Sequence, residues 1–191
     1  MTNRITACEQ AGYLDGLAAG LAQALTDVEI VAAPGGTAAV PADWASDGET
    51  IPHSLAAREG VAFVRVPAAT ETTATLTELG VLLGAARLGA TRRLADHAVA
   101  HLSGRTSGGE PTIRKQLVLG TLADLLTEVE ALRVQLMVSA ASAETVADVH
   151  HRITDLDWEA AKLLGASGYL ADSPGRSCHV SELVANCWVA G

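Results

Sequence analysis

From Leu76 to the end of the chain, apolar residues recur three and four positions apart, the spacing that gathers side chains on one face of a helix. Leu76, Leu79, Leu83, Ala86, Ala90 and Leu94 predict a long helix reaching about Leu102, opened by the capping-box sequence Thr75-Leu-Thr-Glu78. Its opposite face is read as polar, with Arg87, Arg92 and Asp96. Pro111 marks the first turn of a second helix, where Val118, Leu122, Leu125, Val129, Leu132 and Leu136 alternate steps of four and three. A third helix starts after Ser142, with Val146, Val149, Ile153, Leu156, Ala160 and Leu163 in the same rhythm. Gly165 to Tyr169 ends it, Asp172 to Gly175 forms a turn, and a last helix runs from Cys178 to Trp188. Short connections make such helices antiparallel neighbours, so the predicted fold is mainly α, an antiparallel four-helix bundle.

The first third is patterned differently. Leu14, Leu17, Leu21 and Leu25 predict a short helix within 7–25, weakened by Gly16 and Gly20. Val28 to Val31 reads as a strand stopped by Pro34-Gly35-Gly36, residues 37–59 as loop with a hairpin signal at Asp47-Gly48, and Val61 to Val66 as the best strand of the chain. Two or three strands make no independent domain, so this part must lean on the helices or on another chain. The predicted organisation is a short helix with a β remnant over 1–70 and the bundle over 71–191.

Composition agrees with closely packed helices: 49% of the 191 residues are hydrophobic, mostly Ala, Leu and Val, and only 3% are aromatic. A net charge of −9 argues against nucleic acid or an anionic membrane as partner, because the summed field repels phosphates. No stretch holds the roughly 18 to 20 apolar residues needed to span a bilayer, and the first ten residues lack a signal peptide's apolar core, so a cytoplasmic location is expected. Cys8, Cys178 and Cys187 offer neither a disulfide framework nor a zinc spacing and are read as buried thiols. His150 and His151 point about 100° apart on a helix, and His97 with His101 lacks further ligands, so no metal is expected. His150 and His151 are read as solvated or at the seam's edge. Phosphate-binding loops and hydrolase elbows are absent from the sequence.

The connection from Arg105 to Gln116, glycine-rich and arginine-bearing, carries most of the functional information. Arg105, Gly109, Pro111 and Gln116 match the offsets of the R-x-x-F-G-x-P segment and following glutamine of the acyl-CoA dehydrogenases, with Gly108 in place of the phenylalanine. Gly165-Ala-Ser-Gly168-Tyr169, followed by Pro174, is similar to that family's G-G-x-G-Y/F turn. From Leu76 to Gly191 the chain therefore resembles the family's C-terminal helical domain.

The resemblance implies an FAD shared with a partner subunit, with Arg105, Ser107, Gly109, Gln116, Gly165 and Gly168 as cofactor-binding residues. A guanidinium offers forked donors to phosphate oxygens, and glycines admit close backbone approach. The family's catalytic Y-E-G-T falls on Trp188-Val189-Ala190-Gly191, where no side chain accepts a proton. Some members carry the glutamate on the first long helix, which leaves Glu78 as the candidate base. Only about 75 residues precede the bundle, so most of the flavin pocket is missing. The resemblance thus implies a small, non-catalytic subunit of a heteromeric FAD-dependent acyl-CoA dehydrogenase. Its partner is a full-length subunit or a second copy, in a dimer or tetramer formed through the bundle. The alternative is a stand-alone homodimeric bundle that binds a small ligand or catalyses a non-redox step.

Overall fold

The computed structural model describes residues 1–30, 33–45, 50–67, 73–138 and 142–189. In chain order the elements are α1 (Thr2–Asp15), α2 (Leu17–Ala24), β1 (Thr37–Pro41), β2 (Thr50–Ile51), α3 (Ser54–Arg58), β3 (Val61–Arg65), α4 (Thr73–Ser103), β4 (Thr106–Ser107), β5 (Glu110–Pro111), α5 (Gln116–Val138), α6 (Ala143–Leu163) and α7 (Arg176–Trp188).

The other long helices pack around α4. Residues 79–91 are buried on every side, because α1 and α2 lie against one flank and α5, α6 and α7 against the rest. Small residues make the crossing with α1 possible. A Cβ on Gly89 would stand 2.1 Å from the Glu9 carbonyl oxygen, and one on Gly12 2.2 Å from that of Ala86, so the two backbones touch. This close approach is how an aromatic-poor sequence fills its interior. The Glu9 carboxylate then receives Arg92 of α4 at 2.8 Å and Arg133 of α5 at 2.6 Å, tying three helices together.

The bundle helices bury the stripes their spacing predicts. On α5 these are Leu122, Leu125, Val129, Leu132 and Leu136, and on α6 Val146, Val149, Ile153, Leu156 and Ala160. Ser142 caps α6, its hydroxyl accepting from the Thr145 amide at 3.1 Å. On α7, Val184 and Trp188 enter the core.

Three expectations about where helices begin and break are corrected. The helix of 7–25 is two helices, broken at Gly16 with φ 96°. α4 begins at Thr73, so Thr75 is an interior helical residue and no capping box forms with Glu78. Pro111 does not open α5; it closes a hairpin, and the α-helix starts at Gln116 because Lys115 is extended.

The first third holds an antiparallel sheet ordered β1-β3-β2. β3 is the predicted strand, with Ala39 and Ile51 of its neighbours both opposite Phe63. No strand forms at Val28 to Ile30, where Asp27 with φ 68° turns the chain; Val31 lies outside the described residues. The residues read as loop contain β1, β2 and α3 instead, while the Asp47-Gly48 signal falls outside the described residues. The sheet does lean on the helices: the Trp188 indole donates to the Ala39 carbonyl at 2.8 Å, joining β1 to α7.

Among the described residues no helix is long and apolar enough to cross a membrane. Burial pushes the Cys8 and Cys187 thiols up to about 11 and raises Cys178 as well, so none is a thiolate near neutral pH.

Candidate functional site

Arg105 to Pro111 forms a two-stranded hairpin in which Thr106 faces Pro111 and Ser107 faces Glu110. Its two-residue turn is Gly108-Gly109, with φ of 65° and 84°, a pair of left-handed positions that only glycine adopts without strain. Nothing lies within 4 Å of where a Cβ would sit on either. The whole segment 103–110 is exposed, Ser107 included, and Gln116 is exposed at the first position of α5.

Arg105 stands at the foot of this hairpin. Its Nη1 lies 3.3 Å from His101 Nε2, one turn back on α4, and 4.0 Å from the point where Gly165 would carry a Cβ. The structure therefore brings Arg105 beside Gly165, which has φ 61°, while the Gly108-Gly109 turn stands open at the tip of the same hairpin. Arg105 has no carboxylate partner among the described residues, so its fork is free to receive an anion.

Gly168 is differently placed. It is buried, and a Cβ there would meet the Ala161 carbonyl oxygen at 2.5 Å, while Gly175 packs on the Gly168 carbonyl. Its visible work is packing the turn against α6. Glu78 is half exposed, with Arg4 at 3.6 Å. At the position matching the family tyrosine, Trp188 is a core residue bonded to β1.

Beside the hairpin, α5 exposes several large apolar side chains. Leu119, Leu126, Val134 and Val138 are 50–74% exposed, the first two flanking the buried stripe and the last two opposite it.

Sequence reasoning missed a polar cluster in the core. Arg87 is not on a polar face but fully buried. Its Nε donates to Ser181 Oγ at 2.8 Å, Nη1 to His150 Nδ1 at 2.9 Å and Nη2 to Thr154 Oγ1 at 2.8 Å. His150, expected at the seam's edge or in solvent, is 4% exposed and has the Gly80 carbonyl 2.9 Å from its Nε2. That arrangement selects the neutral ring with its proton on Nε2; burial first and Arg87 second push its pKa down to about 3. Asp157 accepts from Thr91 at 2.6 Å, and its other oxygen lies 3.8 Å from Arg87 without a hydrogen bond. Burial raises this carboxyl to about 6 against the opposing pull of Arg87. A signal was present: Arg87 falls between Leu83 and Leu94, and His150 and Asp157 flank Ile153, all on the buried stripes. No group of three or more metal-ligating side chains converges among the described residues.

Residues 70–167 match the family described as "Acyl-CoA dehydrogenase, C-terminal domain". No curated protein sequence matches the chain. Among solved structures, a glutaryl-CoA dehydrogenase from Mycobacterium smegmatis in complex with FADH2 is similar at TM-score 0.56 and 21% identity, over 80% of this chain and 44% of that one. The steroid ACAD Tcur3481-Tcur3483 aligns at TM-score 0.56 and 20% identity, over 79% and 44%. Acyl-CoA dehydrogenase from Geobacillus kaustophilus aligns at TM-score 0.54 and 17% identity, over 80% and 46%. At these identities the likeness is one of fold, and the chain spans less than half the length of each structure.

Proposed function

This chain belongs to the acyl-CoA dehydrogenase family through its C-terminal domain, and from that premise we propose that it is a small, non-catalytic subunit of a heteromeric, FAD-dependent acyl-CoA dehydrogenase. The observation that carries this reading is the adjacency of two unfinished surfaces: the exposed hairpin with its unneutralised Arg105, and the exposed apolar side chains along α5, the helix that starts just beyond it. One calls for an anion and the other for a packed neighbour. A single partner chain bringing a dinucleotide meets both needs.

The residues fit the diphosphate end of FAD. Arg105 holds phosphate oxygens through its fork, and the open Gly108-Gly109 turn lets the backbone come close. Ser107 and Gln116, both exposed, add a hydroxyl and a carboxamide, and Gly165 keeps the space beside Arg105 clear. Gly168 acts indirectly by fixing the turn. Bound FAD supplies the hydride acceptor for α,β-dehydrogenation of an acyl thioester. The proton-abstracting group comes from the partner, since Val189 cannot serve and Glu78 is engaged with Arg4. The paired designation of the steroid ACAD is consistent with two-chain assembly.

The test is co-expression with a full-length acyl-CoA dehydrogenase encoded beside this chain's gene. The expected result is a colourless protein alone and a yellow, co-purifying complex. A chain that remains a colourless homodimer indifferent to that neighbour would favour the stand-alone, ligand-binding alternative.

A further inference from the structure

A cleft of about 370 Å³ opens on the far side of α4 from α5, between the α1–α2 junction, the end of α3 and the start of α7. Its size lies at the small end of the range for small-molecule sites. Leu17, Ala90, Leu94 and Pro174 give it an apolar lining. Three arginines and three carboxylates surround that lining, equal in number but not all paired. Arg58 is paired with Asp172, and Arg176 has Glu59 at 2.6 Å. Arg93 is held only by backbone carbonyls at the end of α1, those of Tyr13 at 3.1 Å and of Leu14. Those carbonyls fix its guanidinium without cancelling its charge. No carboxylate lies within ion-pair distance of it among the described residues, and His97, four positions along the same helix face, adds a ring nitrogen at the cleft.

We propose that this cleft binds a small organic monocarboxylate, its carboxylate on Arg93 beside His97 and its short apolar body against Leu17, Leu94 and Pro174. Among the described lining residues Arg93 is the one arginine and Asp15 the one carboxylate outside the two ion pairs, so the cleft offers a single charged anchor for a carboxylate while Asp15 disfavours a second negative charge. The proposal is independent of the dinucleotide reading, since none of the residues proposed to hold FAD lines this cleft.

The test titrates butyrate, butyramide and inorganic phosphate into the full chain, following backbone and arginine side-chain NMR signals. Butyrate is expected to produce saturable shifts centred on Arg93, Leu94 and Ser177, with butyramide and phosphate at least tenfold weaker. Arg93→Gln should weaken butyrate at least tenfold. Because that change also removes the contacts to α1, Ser177→Phe provides a second block that fills the cleft and leaves Arg93 in place. Absence of saturation by butyrate, equal binding of butyramide, tighter binding of phosphate, or unchanged binding in the folded variants would overturn the proposal.

Discussion

Arg87 and Arg105 sit on the same stretch of chain, and their surroundings are opposite. Arg87, in the middle of α4, donates to side chains on α6 and α7 and faces a buried carboxylate; it is fully enclosed. Arg105, just beyond the end of α4, touches His101 and is otherwise open. The contrast separates what holds the bundle from what the bundle presents. A guanidinium held by four hydrogen bonds fixes the register of three helices, and one with most of its donors open is available to another molecule.

The largest expected effect comes from breaking the enclosed member. Arg87→Ala leaves His150, Ser181 and Asp157 without their partner, and unfolding in urea should show a loss of about 3–5 kcal/mol. Against this, Arg105→Ala should change stability by no more than about 0.5 kcal/mol, as expected for an exposed side chain.

The exposed apolar side chains of α5 give the next effect. Leu126→Asp and Val134→Asp, both at exposed positions, should leave the isolated chain's stability within about 0.5 kcal/mol. They should abolish co-purification with the full-length partner. Retained complex in both variants would mean that these side chains are not at the interface.

A subtler effect is expected from pH. His150 has its folded pKa lowered to about 3 from 6.5, so its contribution is fully present above 6.5 and is lost as pH falls towards 3. Asp157 has its folded pKa raised to about 6 from 3.8, so its contribution is fully present below 3.8 and is lost as pH rises through 6. Between about pH 6 and 4 the two slopes oppose each other, and acid loss concentrates below 4. Asp157→Asn removes the offset, so denaturation followed against pH should begin nearer pH 6 than in the unmodified chain.

The same contrast explains how much was legible in the sequence. Long amphipathic segments such as α5 and α6 announce their buried stripes, because five or six apolar residues at steps of three and four leave little choice of face. Arg87, His150 and Asp157 were hidden by their own chemistry, as charged or polar side chains on otherwise apolar stripes. β1 was hidden because Thr-Ala-Ala-Val-Pro has little strand preference, and its conformation comes from pairing with β3 and from Trp188. At the site, the motif spacing pointed to Arg105 and Gly165, which the fold does bring side by side. It also pointed to Gly168, which the fold buries, since a motif records a residue but not which way its surroundings face.

The measurement that bears most directly on the central claim is the flavin content of the purified two-chain complex carrying Arg105→Ala. Our account predicts at least a tenfold weaker hold on FAD, read as flavin lost on dilution, with complex formation and thermal midpoint unchanged. A variant complex that keeps its flavin as firmly as the unmodified one would contradict it.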